Sequence, residues 1–171
     1  VVQHFPEYYN ARYHLALALS HLGVETGEIE FLQKALEQFQ ILSETDPEDD
    51  VMWNDWGVTV LSLADLIYDP CNIDHVASMY KEAEDKFMHA IALGNQEVDY
   101  NLACLYSLQG NYEEAMHYLQ RAKTYNALPT TEELMEDEWL ESLRQTPAFK
   151  TFFNQHYNKP PSPSVEGPQE T

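Results

Sequence analysis

A chain of 171 residues is about one domain, long enough to bury a core. With 44% hydrophobic and 12% aromatic residues it has the composition of a folded chain rather than a disordered one. Its 29 acidic residues against 9 basic ones give a formal net charge of −20, which excludes a binder of the nucleic-acid phosphate backbone and disfavours an anionic membrane face, since both need clustered Lys and Arg.

Apolar residues recur at three- and four-residue steps through Tyr13, Leu15, Leu17, Leu19 and Leu22. After turn chemistry at Gly23–Gly27 the pattern resumes through Phe31, Leu32, Ala35, Leu36, Phe39 and Leu42. Asp46-Pro47 reads as the cap and first-turn proline of a third helix, through Leu61, Ala64, Leu66 and Ile67. Asp69-Pro70 plays the same part for a fourth, through Tyr80, Ala83, Phe87, Ala90 and Ile91. Gly94-Asn95 precedes a fifth (Leu102, Ala103, Leu105, Tyr106), and Gly110-Asn111 a sixth (Ala115, Tyr118, Leu119, Ala122). No run alternates with period two, so an all-α chain of three helical pairs is expected. Past Pro129, Thr130-Thr-Glu-Glu offers a capping box for a helix through Leu134, Trp139, Leu140 and Leu143. Pro147 then opens a segment carrying Phe149, Phe152, Phe153 and Tyr157. Residues 158–171 are proline-rich without apolar periodicity and read as a disordered tail.

The sixth predicted helix and the one before it carry a spaced set: Leu102, Ala103, Tyr106, Gly110, Tyr112, Ala115 and Ala122. A small residue at Ala103 lets a helix carrying Ala115 come close, while Tyr106, Tyr112 and Leu119 fill the surrounding gaps. Two looser copies lie upstream. Trp56-Gly57 stands in the large–small slot, with Ala83, Phe87 and Ala90 answering from the next helix, and Leu15-Ala16 pairs likewise with Ala35, Phe39 and Leu42. The first two copies are longer: 26 residues separate Gly57 from Ala83 and 19 separate Ala16 from Ala35, against 12 from Ala103 to Ala115. The extra residues are expected as insertions around 69–74 and 23–27.

Over roughly residues 7–128 this spacing resembles the tetratricopeptide-repeat (TPR) family. The resemblance implies an α-α superhelix: a TPR-like solenoid of three helical hairpins over 1–157, with 130–157 as C-terminal capping helices over the last apolar face. It also implies a concave groove lined by the first helix of each hairpin. Carried onto this chain, the groove positions are Asn10, Tyr13, His14, Leu17 and His21 in the first repeat. The second repeat supplies Asn54, Asp55, Val58 and Leu61, and the third Tyr100, Asn101, Cys104 and Leu108. Asparagine there can bond the backbone amide of an extended peptide. TPR domains that hold acidic chaperone tails are similar to one another in a Lys/Arg clamp, and these positions contain no basic residue. Between Lys34 and Lys81 stand ten acids and no Lys or Arg, so a carboxylate tail would be repelled.

Chemistry-bearing patterns are otherwise absent. The seven histidines include His14 and His21 on one predicted helix, but no HExxH or CxxC occurs and no metal site or cofactor is expected. No Gly-rich phosphate loop, GxSxG or Cys/His nucleophile pattern stands in the chain, and the carboxylates fall in solvated runs, so no enzyme activity is expected. The two cysteines, Cys71 in a loop and Cys104 in a helix, do not make a disulfide scaffold and suit a reducing, cytoplasmic compartment. No stretch of about 20 apolar residues implies membrane insertion. The chain opens on Val1 rather than Met and without a basic-then-apolar leader, which reads as a trimmed start that leaves a native leader open. The expected function is a non-catalytic scaffold binding an apolar or basic peptide or helical segment of a partner protein. The alternatives are a chaperone similar to bacterial type III translocator chaperones, holding an apolar cargo segment, a regulatory domain of a larger protein, and, third, a small-molecule enzyme.

Overall fold

The computed structural model describes residues 6–157, and all the regular structure among them is helical. The tail expected over 158–171 lies outside the described residues. The first helix, α1 (Pro6–Thr26), runs straight through Gly23 instead of breaking there. A Cβ on Gly23 would come within 2.7 Å of Leu32 Cγ, so this glycine is where α1 meets α2 (Ile29–Thr45), not a turn. Leu15 also departs from expectation. One residue from the buried Ala16, it is turned about 100° away and stands 50% exposed, and Tyr8 and Leu22, seven residues to either side, are exposed too.

Pro47 and Pro70 do not start helices. Asp46 closes α2, its N–H bonding to Leu42 O, and its carboxylate accepts from the Glu48 N–H as a turn. α3 (Asp50–Leu66) begins four residues after Asp46, with Asp49 accepting from the Met52 N–H at 2.9 Å. Asp69 likewise accepts from the Cys71 N–H at 2.7 Å, and α4 (Ile73–Ala92) starts behind Asn72. An aspartate can bond either the first turn of a helix or its own chain two residues on. With proline next in sequence it takes the second course here.

α5 (Val98–Leu108) and α6 (Tyr112–Thr124) form the third and shortest hairpin. The residues expected as insertions upstream are spent mainly on longer helices, with a six-residue link between α3 and α4. Successive helices pack against one another from α1 to α6, and the short links make each pair antiparallel. The first helices, α1, α3 and α5, also touch in a row. Gly57 on α3 faces the ring of Phe87 on α4, and Ala103 and Ala115 are both fully buried between α5 and α6. Tyr112, expected to fill that gap, is instead 38% exposed at the first residue of α6.

Beyond Pro129 the expected single helix divides. Thr130 and Glu133 close a capping box on α7 (Thr131–Glu136). Asp137 then turns extended, its side chain accepting from the Trp139 N–H, and a 3-10 turn over Glu138–Leu140 leads into α8 (Glu141–Arg144). Thr146 caps α9 (Pro147–His156), with proline at its first turn as expected. Leu134, Leu140, Leu143, Phe149 and Phe152 bury themselves against Ala103, Ala115 and Leu119, so 130–157 covers the open side of the last hairpin. The remaining core is continuous from Leu32 and Phe39 through Trp56, Val60 and Phe87 to Leu105, and Tyr106, Tyr118 and Trp139 pack on both clusters.

Candidate functional site

The row formed by α1, α3 and α5 is stitched by polar side chains. The Tyr13 hydroxyl donates to the Asp55 carboxylate, tying α1 to α3. Asn54, beside it, donates to Asp55 at 3.3 Å and accepts from the Asn101 amide of α5 at 2.7 Å. One turn toward the N-terminus, Tyr9 donates to Asp49 at 2.7 Å. At the far end Tyr100 donates to Asp137 at 2.5 Å, joining α5 to the cap. The expected groove asparagines on α3 and α5 therefore bond within this seam: each spends an amide hydrogen on a neighbouring side chain.

Between α1 and α3 the seam opens into a cleft of about 390 Å³. Leu17, Ser20, His21, Val24 and Glu25 line it from α1, Asp55, Val58, Thr59 and Ser62 from α3, and Trp139 from the cap. Its floor hydroxyls are satisfied internally: Ser20 and Thr59 share a hydrogen bond at 2.9 Å, Thr59 donates to Asp55 O, and Ser62 to Val58 O. A second opening adjoins it, with Val24, Ser62 and Trp139 shared and Asp65, Leu66, Asp137 and Glu138 added. The Trp139 indole N–H bonds Asp65 at 3.1 Å across the boundary. No Lys or Arg lines either space.

Of the expected positions, Leu17, His21, Asp55 and Val58 meet in the cleft, and Tyr13 sits in the seam behind it. Asn54, Tyr100 and Asn101 line a separate hollow near Pro129, Asn10 and His14 are exposed on α1 outside the cleft, and Leu108 is half-buried against the core. Two positions are corrected. Leu61 is fully buried, because steps of three residues from Asp55 to Val58 to Leu61 walk about 60° per step around a helix of 3.6 residues per turn. Ser62, not Leu61, stays on the cleft face. Cys104 is fully buried under the cap, its thiol 3.6 Å from the Asp137 carboxylate. Sequence reasoning missed Ser20, Val24, Glu25, Thr59, Ser62 and Trp139. The spacing 55, 59, 62 would have found the two on α3, whereas Trp139 depends on the turn at Asp137, which carries no periodic signal.

Burial raises the Asp55 carboxyl above the usual carboxylate range, with hydrogen bonds from Tyr13 and Asn54 pulling the other way. Asp99, fully buried at the start of α5 with Arg121 at 3.3 Å, is raised by burial too. A raised folded-state carboxyl holds its proton longer than the unfolded one. It therefore favours the fold at low pH, and that contribution fades as pH rises through the ordinary carboxylate range and on through the raised folded value. Asp55→Asn removes one of the two sources. Denaturant unfolding at pH 4 and pH 7 is expected to show the stability difference moving in the variant's favour at the higher pH, while exposed Glu44→Gln gives a smaller change. A gap that stays flat or moves the other way contradicts this reading.

Among the described residues, no three His, Cys, Asp or Glu side chains converge to hold a metal ion, and no helix is long and apolar enough to cross a membrane. No protein-family model matches the chain, and no curated protein matches it significantly.

Proposed function

We propose that the chain is a non-catalytic protein-interaction module built as a TPR-like solenoid, which receives a peptide or helical segment of a partner along the α1–α3–α5 row. The observation that carries the reading is the cleft between α1 and α3, apolar in its walls and already satisfied in its floor hydroxyls. Such a surface gains by covering an apolar side chain, and its floor hydroxyls keep their partners when it does. The close approach of Gly57 to Phe87 and the buried Ala103 and Ala115 support the repeat register. Both cysteines are free thiols, which supports placing the protein in a reducing compartment such as the cytoplasm.

Peptides selected from a random displayed library on the folded chain test the reading. They are expected to slow amide exchange in α1 and α3, and to bind at least tenfold more weakly to Val58→Arg, which fills the cleft. Protection confined to α2, α4 and α6, or affinity indifferent to Val58→Arg, overturns it.

A further inference from the structure

The cleft states more about its ligand than its position does. Leu17, Val24, Val58 and Trp139 form apolar walls, and the hydroxyls of Ser20, Thr59 and Ser62 are each engaged within the chain. An apolar side chain can therefore enter without leaving any of these hydroxyls unpaired. The rim is different. Asp55 and Glu25 stand in the lining, and Asp65, Asp137 and Glu138 stand in the adjoining opening, with His21 the sole basic-type side chain among both linings. The donors to the Asp55 carboxylate are Tyr13 on α1 and Asn54 on its own helix, neither of which lines the cleft, while Asp55 itself does. A carboxylate has about four acceptor sites, so two donors do not exhaust it. No lysine or arginine in either lining competes for these acids.

Resting on the interaction-module reading, we propose that this cleft selects a partner segment with one apolar anchor side chain flanked by Lys or Arg, the anchor between Val24, Val58 and Trp139 and the cation on Asp55 and Glu25. The occupant is a segment of another protein. A second copy of a chain carrying a net charge of −20 would bring mainly carboxylates to an acidic rim. An acidic segment is rejected for the same reason. Part of the cation's effect is on encounter, because the acidic field of the whole chain draws positive segments toward it.

The test uses the full chain and the same kind of displayed library, with binders kept only if Val58→Arg weakens them. These are expected to be enriched in an apolar residue within two positions of Lys or Arg. Synthetic versions should lose at least tenfold in affinity when that Lys or Arg is changed to Glu, and should weaken severalfold between 50 and 300 mM salt, as screening predicts. Asp55→Asn and Glu25→Gln should each lower affinity severalfold. Glu25 lies in the exposed last turn of α1, so its variant tests the rim without disturbing the core. Cleft binders without a cationic bias, unmoved by salt and by Glu25→Gln, overturn the inference and leave the module reading standing. A selection with no cleft binder overturns both, as does sedimentation showing a dimer whose contact is broken by Val58→Arg.

Discussion

Phe87→Ala is expected to lower the unfolding free energy by about 3–5 kcal/mol, the range for truncating a fully buried aromatic side chain. At this chain length that corresponds to a fall in Tm of roughly 6–20 °C. Phe87 has no exposed surface and lies over Gly57. A Cβ built on Gly57 would stand 2.5 Å from Phe87 Cε1 and 2.7 Å from Cδ1, closer than carbon atoms tolerate. α3 and α4 are thus set at a distance that only hydrogen on one side and a flat ring on the other allow. The surrounding helices cannot close the space a lost ring would leave without pulling α4 against the backbone of α3. Gly57→Val tests the same contact from the opposite side. It overpacks the gap and should cost about 1–3 kcal/mol. In a double-mutant cycle with Phe87→Leu the two changes should fail to add by more than about 0.5 kcal/mol, as contacting residues do. Additive values from denaturant titration would mean that the glycine and the ring do not set the helix spacing.

Phe149→Ala is expected to cost a similar amount, about 3–5 kcal/mol, through a different route. Phe149 is 2% exposed and packs with Phe152 and Phe153, at ring-centroid distances of 6.3 and 6.2 Å. These rings, with Leu134, Leu140 and Leu143, are what covers Ala103, Ala115 and Leu119 of the last hairpin. Loosening the cap should therefore expose α5 and α6 before α1 to α4 respond. Native-state hydrogen exchange is expected to show protection lost first in α5, α6 and the cap, with Leu32 and Phe39 in α2 holding theirs longer. Uniform loss along the chain would show instead that the two core clusters unfold as one unit.

Pairing of helices was legible because it rests on residue size at fixed spacing. Ala103 with Ala115 is a small-against-small choice and Gly57 with Phe87 a small-against-large one, and close helix contact demands both. Capping chemistry was legible where one reading dominates, as in the reciprocal bonds of Thr130 and Glu133. It failed where a residue has two local uses. Asp46 and Asp69 each precede proline, and both close turns rather than open helices. Gly23 misled for a related reason: glycine marks breaks and close approaches alike, and here Leu32 on the facing helix decides which. At the candidate site, the α1 positions Leu17 and His21 are ones that the TPR resemblance implies, and their spacing of four residues keeps them on one helix face. Leu61 was lost to a step of three residues where the helix turns every 3.6. Trp139 was beyond reach, because its position depends on Asp137 accepting a bond from Tyr100, a residue far away along the chain.

The contrast between the two thiols offers a practical consequence. Cys71 is exposed on the link between α3 and α4, whereas Cys104 is fully buried and its thiol is pushed up by that burial, so little reactive thiolate forms. A maleimide dye added to the native protein therefore attaches at a single place, without engineering. The hairpin tip becomes a ready anchor for fluorescence or spin-label work, and the unlabelled interior thiol becomes a chemical witness that the fold is intact.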